Sequence, residues 1–534
     1  MLEKLSNAKI QQLIGTDIYA EVSDFLEKLS NDESEIIKMS QKAGQIKMLL
    51  SLPYNNEMLS VRLWKDIYLR FDSNELTELF EAGIDPQDQD HVFVAACLKY
   101  SHEKYGLTYQ IEEEVEPLRS AVTVCSLPLA PFKTLKDFQT KIYWQILKHL
   151  DIPRSRFIVQ MPTGSGKTRT AMEVVAHQLK ISSKKNVIWL AHSVELIEQA
   201  AAGFEEIWAH VGSHDVDIRI VDGDHNGLDG IDDSNSSIVI STLQSMRSYL
   251  DNSPEDFKNI TESCSLLIID EAHMSLAPTY EYLIKKVVSN GCLLMGLTAT
   301  PGRNLDDDID NQRLAELYFQ TPVRLECPDG GNVFSYLRNI GVMANTSMNI
   351  IEGSNTELTN NEIESFQRKM AIPASVLKRL AAEEQRNLVI IYKILKLIEL
   401  NANTKILLFA CSVKHSKFLT SVLKYKGIKA AHVDGTTQNL ARKGILADFK
   451  TGTTNVLLNY SVLATGFDAP KTDVVFVARP TGSIVLYSQI IGRGLRGPAI
   501  GGTEKCMIIN VKDNIEGLPD YNEIYDYFDD YYVE

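Results

Sequence analysis

Arg156-Phe157-Ile158-Val159-Gln160-Met161-Pro162-Thr163-Gly164-Ser165-Gly166-Lys167-Thr168 is the stretch that decides the fold. Phe157–Val159 reads as a short buried strand and Ala171 onward as a helix. A glycine loop between a strand and a helix is the setting of a phosphate cradle. Backbone N–H groups turn inward there, and the helix N-terminus adds partial positive charge. Pro162, Thr163, Gly164, Ser165 and Gly166 would line the cradle. Lys167 would reach the β- and γ-phosphates of ATP, and Thr168 would offer its hydroxyl to Mg²⁺. Met161 stands where the general pattern has its first glycine, and a chance turn is the alternative reading.

Further along, the apolar run Leu266-Leu267-Ile268-Ile269 delivers Asp270-Glu271-Ala272-His273 at its C-terminal end, where α/β sheets place their chemistry. Asp270 is a candidate Mg²⁺ holder through water, and Glu271 a candidate general base for an attacking water. His273 is a candidate coupler to a second lobe. A solvated loop after a strand is the plainer alternative.

Outward from these two motifs, short β-rich runs alternate with helical stretches. Phe157–Val159, Val187–Leu190, Ile218–Val221, Ile238–Ile240, Leu266–Ile269 and Leu293–Leu297 form one series. Ile406–Phe409, Ala430–Val433, Val456–Asn459, Val474–Ala478 and Met507–Asn510 form another. The alternation predicts an α/β fold of two tandem parallel-sheet lobes with helices on both faces. Residues 1–125 read as mostly helical, from apolar positions such as Ile36, Ile46, Leu49 and Leu50, with Asn31-Asp32-Glu33 and Asp72-Ser73-Asn74 as helix starts or turns. The expected organisation is a helical N-terminal domain (1–130), lobe 1 with the ATP site (131–305), a connector (306–385), lobe 2 (386–512) and an acidic, aromatic tail (513–534).

With 534 residues, the chain is too long for one core. No apolar run is long enough to span a membrane, and Met1–Ala20 lacks a signal-peptide pattern. The seven cysteines form no CxxC pair, which predicts reduced intracellular thiols, no structural zinc and a cytoplasmic location. The net charge of −16 is unevenly placed: residues 1–130 carry −10, residues 513–534 carry −8, and 131–512 carry +2. The acidity of the ends therefore does not exclude a nucleic-acid groove in the middle.

The motifs, taken together, resemble superfamily 2 helicases of the DEAD/DEAH-box kind. Met161–Thr168, Asp270–His273, Thr298-Ala299-Thr300-Pro301 and Gln489-Ile490-Ile491-Gly492-Arg493-Gly494-Leu495-Arg496 look like motifs I, II, III and VI, in family order. Leu190-Ala191-His192-Ser193 with Leu196 and Gln199, Ser241-Thr242-Leu243-Gln244-Ser245, and Leu463–Pro470 match three more. Phe476-Val477-Ala478-Arg479-Pro480-Thr481 looks most like RadD-type DNA helicases and the ResIII-like motor subunits of restriction enzymes. The resemblance covers 135–512 and implies RecA-like lobes. It implies that Gln139 reads adenine, although Asp137 replaces the usual proline beside it. Arg493 and Arg496, with Gln489, would act on the γ-phosphate across the cleft. Gly466 and Asp468 would link nucleotide state to nucleic acid, Thr298 and Thr300 would couple hydrolysis to lobe movement, and His192, Thr242, Gln244 and Ser245 would touch the nucleic acid.

Three functions fit these motifs: a DNA helicase or translocase in repair or anti-phage defence, an RNA helicase, and an ATPase subunit that drives a partner nuclease without unwinding. The wording of lobe 2 favours DNA. The N-terminal domain or the tail would take a protein partner; for the tail, the alternatives are a solvated segment and a DNA mimic.

Overall fold

The computed structural model describes residues 1–14, 16–29, 41–52, 60–105, 121–124, 134–184, 186–222, 236–299, 308–327, 332–369, 372–437, 439–464, 471–481 and 483–516. Lobe 1 is one sheet of eight strands: β1 (Ala121–Val124), β2 (Arg156–Gln160), β3 (Asn186–Ala191), β4 (Val216–Val221), β5 (Ser236–Thr242), β6 (Cys264–Asp270), β7 (Leu293–Thr298) and β8 (Pro322–Arg324). Their order is β1-β4-β5-β3-β6-β7-β2-β8, parallel except for β1 against β4. Every residue of β3, β6 and β7 is buried, as expected of strands covered on both faces.

Lobe 2 is a six-stranded parallel sheet of β9 (Asn345–Glu357), β10 (Ile406–Phe409), β11 (Ala430–His432), β12 (Val456–Asn459), β13 (Val474–Val477) and β14 (Lys505–Glu516), in the order β11-β12-β10-β13-β14-β9. The two lobes are RecA-like parallel-sheet domains, as the two strand series predict.

The domain boundaries differ from the sequence reading in three places. Strand β1 lies inside the stretch assigned to the helical domain, yet it pairs with β4 of lobe 1. The stretch expected to be a connector is divided between the lobes. Leu314 and Tyr318 are buried in the lobe 1 core, β8 pairs with β2, and β9 pairs with β14. β8 and β9 are edge strands, with one neighbour each, so they need no continuous apolar run. Third, β14 runs on to Glu516, past the expected start of the tail. Asp513 is fully enclosed and paired with Arg386, whose Nε and Nη2 donate to its two oxygens at 2.7 and 2.8 Å. Residues 517–534, the rest of that tail, lie outside the described residues.

The N-terminal helices pack on lobe 2, although lobe 1 follows them in the chain. Phe25, Ile46, Leu49 and Leu50 share one hydrophobic core with Leu419, Val422 and Leu423 of the helix Val413–Tyr425. The rings of Phe25 and Phe418 meet edge to face at 5.1 Å, and Lys47 Nζ sits 4.8 Å from the centre of the Tyr425 ring. Lys28 to Glu384 (2.7 Å) and Lys414 to Glu21 (2.8 Å) border the seam. Asp72 starts the helix Ser73–Glu81 with a full capping box to Glu75, as the sequence predicts, whereas Asn31–Glu33 lie outside the described residues.

Cys97, Cys264, Cys292, Cys411 and Cys506 are buried, and the thiols of Cys264 and Cys292 stand 3.2 Å apart at the far end of β6 and β7 from the carboxylates. Among the described residues, no helix is long and apolar enough to cross a membrane.

Candidate active site between the lobes

Register places the chemistry on one edge of lobe 1. Asp270 pairs with Leu297, and Thr298 with Gln160, so the ends of β6, β7 and β2 lie side by side. From β2 the chain turns through the glycine loop into the helix Lys167–Ile181. Gly164 and Gly166 take left-handed φ values of 84° and 86°, a conformation that costs glycine little. A Cβ on Gly166 would also run into Gln139 Nε2.

Gln139 is bonded to the loop itself. Its Oε1 accepts from the Lys136 N–H at 2.9 Å, and its Nε2 donates to the Ser165 carbonyl at 3.2 Å. The Ser165 hydroxyl donates to the Pro162 carbonyl at 2.7 Å. The residue expected at adenine therefore also braces the phosphate loop.

Lys167 Nζ lies 3.4 Å from Glu271 Oε1 and 3.6 Å from Asp270 Oδ1, in a pocket where all three side chains are nearly enclosed. Glu271 has a left-handed backbone (φ 56°), unusual for a residue with a Cβ, and its N–H donates to Asp270 Oδ1 at 3.0 Å. Burial pushes the Asp270 carboxyl above its ordinary range, against the pull of Lys167. Burial would push Glu271 up as well, but Lys167, His273, His192 and Arg493 outweigh it and hold that carboxyl below its ordinary range. The two neighbouring carboxylates are thus driven apart, Asp270 upward and Glu271 downward.

His273 connects the carboxylates to β7. Its Nδ1 is 3.4 Å from Glu271 Oε2 and 3.4 Å from the Thr298 hydroxyl. Thr298 is buried, and Thr300, Gly466 and Asp468 lie outside the described residues. Thr168, in the first turn of the loop helix, and Asp270 supply the hard oxygen donors that suit Mg²⁺.

Lobe 2 closes against this edge. The Cγ of Arg496 lies within van der Waals reach (3.6 Å) of a Cβ at Gly164, and one at Gly492 would strike the Thr163 methyl. Arg493 is close enough for its charge to lower Glu271, and its Nε donates to the Gln489 carbonyl at 3.2 Å. Gln489 is buried in the last turn of the helix Ile484–Ile491, just before the turn that carries both arginines. The Thr163–Gly492 contact is the part of the site that motif reading missed: a glycine inside a motif does not show what passes over it.

The residues expected at nucleic acid are spread over the same lobe. Thr242 caps the helix Leu243–Asn252, accepting from the Ser245 N–H at 3.1 Å and donating to the Ser245 hydroxyl at 2.7 Å. Gln244 and His192 are exposed. Away from the phosphate loop, Lys443 of lobe 2 reaches Glu198 of lobe 1 at 2.9 Å.

Comparison with known proteins follows this division into lobes. Residues 132–303 match the family "Type III restriction enzyme, res subunit", and residues 388–497 match the helicase conserved C-terminal domain. A provisionally named ATP-dependent helicase, IRC3, of Saccharomyces cerevisiae is 24% identical over 399 residues, which are 73% of this chain and 52% of that protein. A 51.5 kDa protein of a Lactococcus phage is 25% identical over 70% of each chain. This chain thus spans about half the length of the yeast relative. Among solved structures, the Type ISP restriction-modification enzyme LlaBIII bound to DNA superposes with a TM-score of 0.51 at 18% identity, over 73% of this chain and 28% of that one. The DEAD-box helicase Mss116 bound to single-stranded RNA superposes with a TM-score of 0.50 at 18% identity, over 76% and 79%. The structural likenesses establish the fold, and the two family matches, laid in order over the two lobes, show a superfamily 2 helicase motor of the restriction-enzyme res-subunit type in residues 132–303 and 388–497.

Proposed function

We propose that this chain is an ATP-driven DNA translocase or helicase serving DNA repair or anti-phage defence in the cytoplasm. The observation that carries the reading is the two-sided site: Lys167 with Asp270 and Glu271 on one lobe, Arg493 and Arg496 brought over the phosphate loop from the other. ATP bound there would draw Lys167 toward its β- and γ-phosphates. Mg²⁺, held by Thr168 and through water by Asp270, would neutralise phosphate charge. Glu271, whose carboxyl Lys167 and His273 hold below its ordinary range, would take the proton of the attacking water. The two arginines would stabilise charge developing on the γ-phosphoryl group. His273 and Thr298 would carry the change from the carboxylates to the strand that leads to lobe 2.

A strand crossing both lobes would be gripped through its phosphates, by groups such as Ser245, Gln244 and His192 of lobe 1. Support for DNA comes from relatives: a Sulfurisphaera tokodaii protein named as a DNA 3'-5' translocase is 26% identical over 240 residues. The res-subunit match favours a second reading, in which the motor drives a partner nuclease, docked on the N-terminal domain or the acidic tail. ATPase stimulation by single-stranded DNA, duplex DNA and RNA tests the proposal. The expected order puts DNA first; a stronger response to RNA overturns the choice, and DNA stimulation without strand separation selects the second reading.

A further inference from the structure

At the C-terminal edge of lobe 2's sheet, Tyr460 and Arg479 meet across a strand. The chain leaves β12 at Tyr460, Arg479 stands two residues past the end of β13, and β10 lies between those two strands. The Arg479 guanidinium carbon sits 4.3 Å from the centre of the Tyr460 ring, and Nη1 donates to the Tyr460 carbonyl at 3.1 Å. The pair therefore bridges the end of β10. From β10 the chain passes to β11 and β12 on one side and later to β13 and β14 on the other. Such a reversal of strand order is where open parallel sheets bind ligands.

Two contacts between the lobes orient this edge. Gly492 against Thr163 marks the nucleotide side. Lys443 to Glu198 marks the other side, because Glu198 belongs to the helix Val194–Val211, which begins two residues after His192. A strand leaving His192 and Thr242 of lobe 1 would pass onto the ends of β10 and β12. Both side chains of the pair are half-buried, so each keeps some access to solvent. Among the described residues, Arg479 forms no ion pair with a carboxylate. A guanidinium held flat on a ring has lost most of its rotamer freedom beforehand, which favours a directed, forked contact to phosphate over a loose surface charge.

We propose that Arg479, positioned by Tyr460, is the phosphate contact through which lobe 2 holds the bound single strand. This rests on the nucleic-acid reading above and adds to it a named contact that neither the motifs nor the matches assign. The test is binding of the full chain to an oligo-dT strand across a salt series. Arg479→Ala is expected to raise Kd about tenfold and to make the slope of log K against log salt shallower by about 0.7, one phosphate's share on a single strand. Arg479→Lys keeps the charge, so the slope should hold while affinity falls part of the way. Tyr460→Leu should weaken binding about threefold, and Tyr460→Phe, which keeps the ring, should restore it. An unchanged slope in Arg479→Ala overturns the contact, and equal damage from Tyr460→Phe and Tyr460→Leu overturns the positioning. Should Arg479→Ala not fold, the Lys and Phe variants decide alone. Wild-type chain that binds neither oligo-dT nor oligo-rU at low salt defeats the nucleic-acid reading itself, an outcome distinct from either of these.

Discussion

The seam between the N-terminal helices and lobe 2 and the cleft between the two lobes are built from opposite materials. The seam is mainly apolar: Phe25, Ile46, Leu49 and Leu50 share one core with Leu419, Val422 and Leu423 of lobe 2, with His102, which is buried, and Lys424 as polar groups near it. The cleft is lined by charge and glycine: Lys167, Asp270, Glu271, Arg493 and the close approaches at Gly164 and Gly492. Removing apolar surface from water is favourable without a ligand, whereas a charged, glycine-lined face closes most firmly on a ligand that balances its charges. The contrast predicts that the N-terminal domain and lobe 2 move as one body and that the motor opens at the cleft. Whatever docks on the N-terminal domain would move with lobe 2.

The strongest way to break this contrast acts on the cleft alone. Arg496→Ala is expected to lower kcat of the stimulated ATPase by about 10³-fold, the scale of a missing arginine finger, with nucleic-acid binding retained. Unimpaired hydrolysis would remove Arg496 from the site. Glu271→Gln should cost about 10²–10⁴-fold in turnover while ATP still binds, because Lys167 and the glycine loop are untouched. Normal turnover in that variant would end the assignment of Glu271 as base.

The seam is probed by Leu50→Ala, which empties a fully buried position and should cost about 2–5 kcal/mol. If the N-terminal domain and lobe 2 are one cooperative body, deuterium uptake should rise in the lobe 2 helix Val413–Tyr425 as well as in the helix Lys42–Ser51. The loop helix Lys167–Ile181 of lobe 1 should stay protected. A rise confined to residues 1–105 would separate the two domains.

The same contrast explains what the sequence could reveal. The cleft chemistry is written in contiguous motifs at the ends of apolar strands, so Lys167, Asp270, Glu271 and the two arginines could be read off, and the geometry brings them together. The seam could not be read, because an amphipathic helix shows that one face is buried without showing against what. Asp513 passed for part of an acidic tail because its partner, Arg386, lies 127 residues earlier in the chain. Strands β8 and β9 looked like a connector because edge strands carry half-exposed, mixed sequences: β9 reads Asn-Thr-Ser-Met-Asn-Ile-Ile, with no buried position along it. The bracing role of Gln139 and the packing of Gly492 on Thr163 depend on neighbours that only the fold supplies.

The last effect expected is a dependence of the seam and lobe 2 on acid. His102, in the seam, has its pKa pushed down to about 3 by burial, with Lys424 adding to the effect. His415 is pushed to about 3 in the same way, with Arg386 beside it. The Cys411 N–H donates to His415 Nδ1 at 3.2 Å, so the ring's proton sits on Nε2 and goes to Asn387 Oδ1 at 2.9 Å; a second proton would face a donor. Both histidines are thus neutral when folded, and the unfolded chain takes up their protons first. The stability they leave intact is complete above pH 6.5 and falls as pH drops from 6.5 toward 3, by up to about 1.4 kcal/mol per pH unit for each group. Denaturant unfolding at a series of pH values, followed at Trp64 in the N-terminal domain, should show that fall, and His102→Gln should make it shallower. A midpoint that does not move between pH 7 and pH 5 would mean that the fold keeps protons from neither His102 nor His415, and the seam around His102 would then be looser than its core requires.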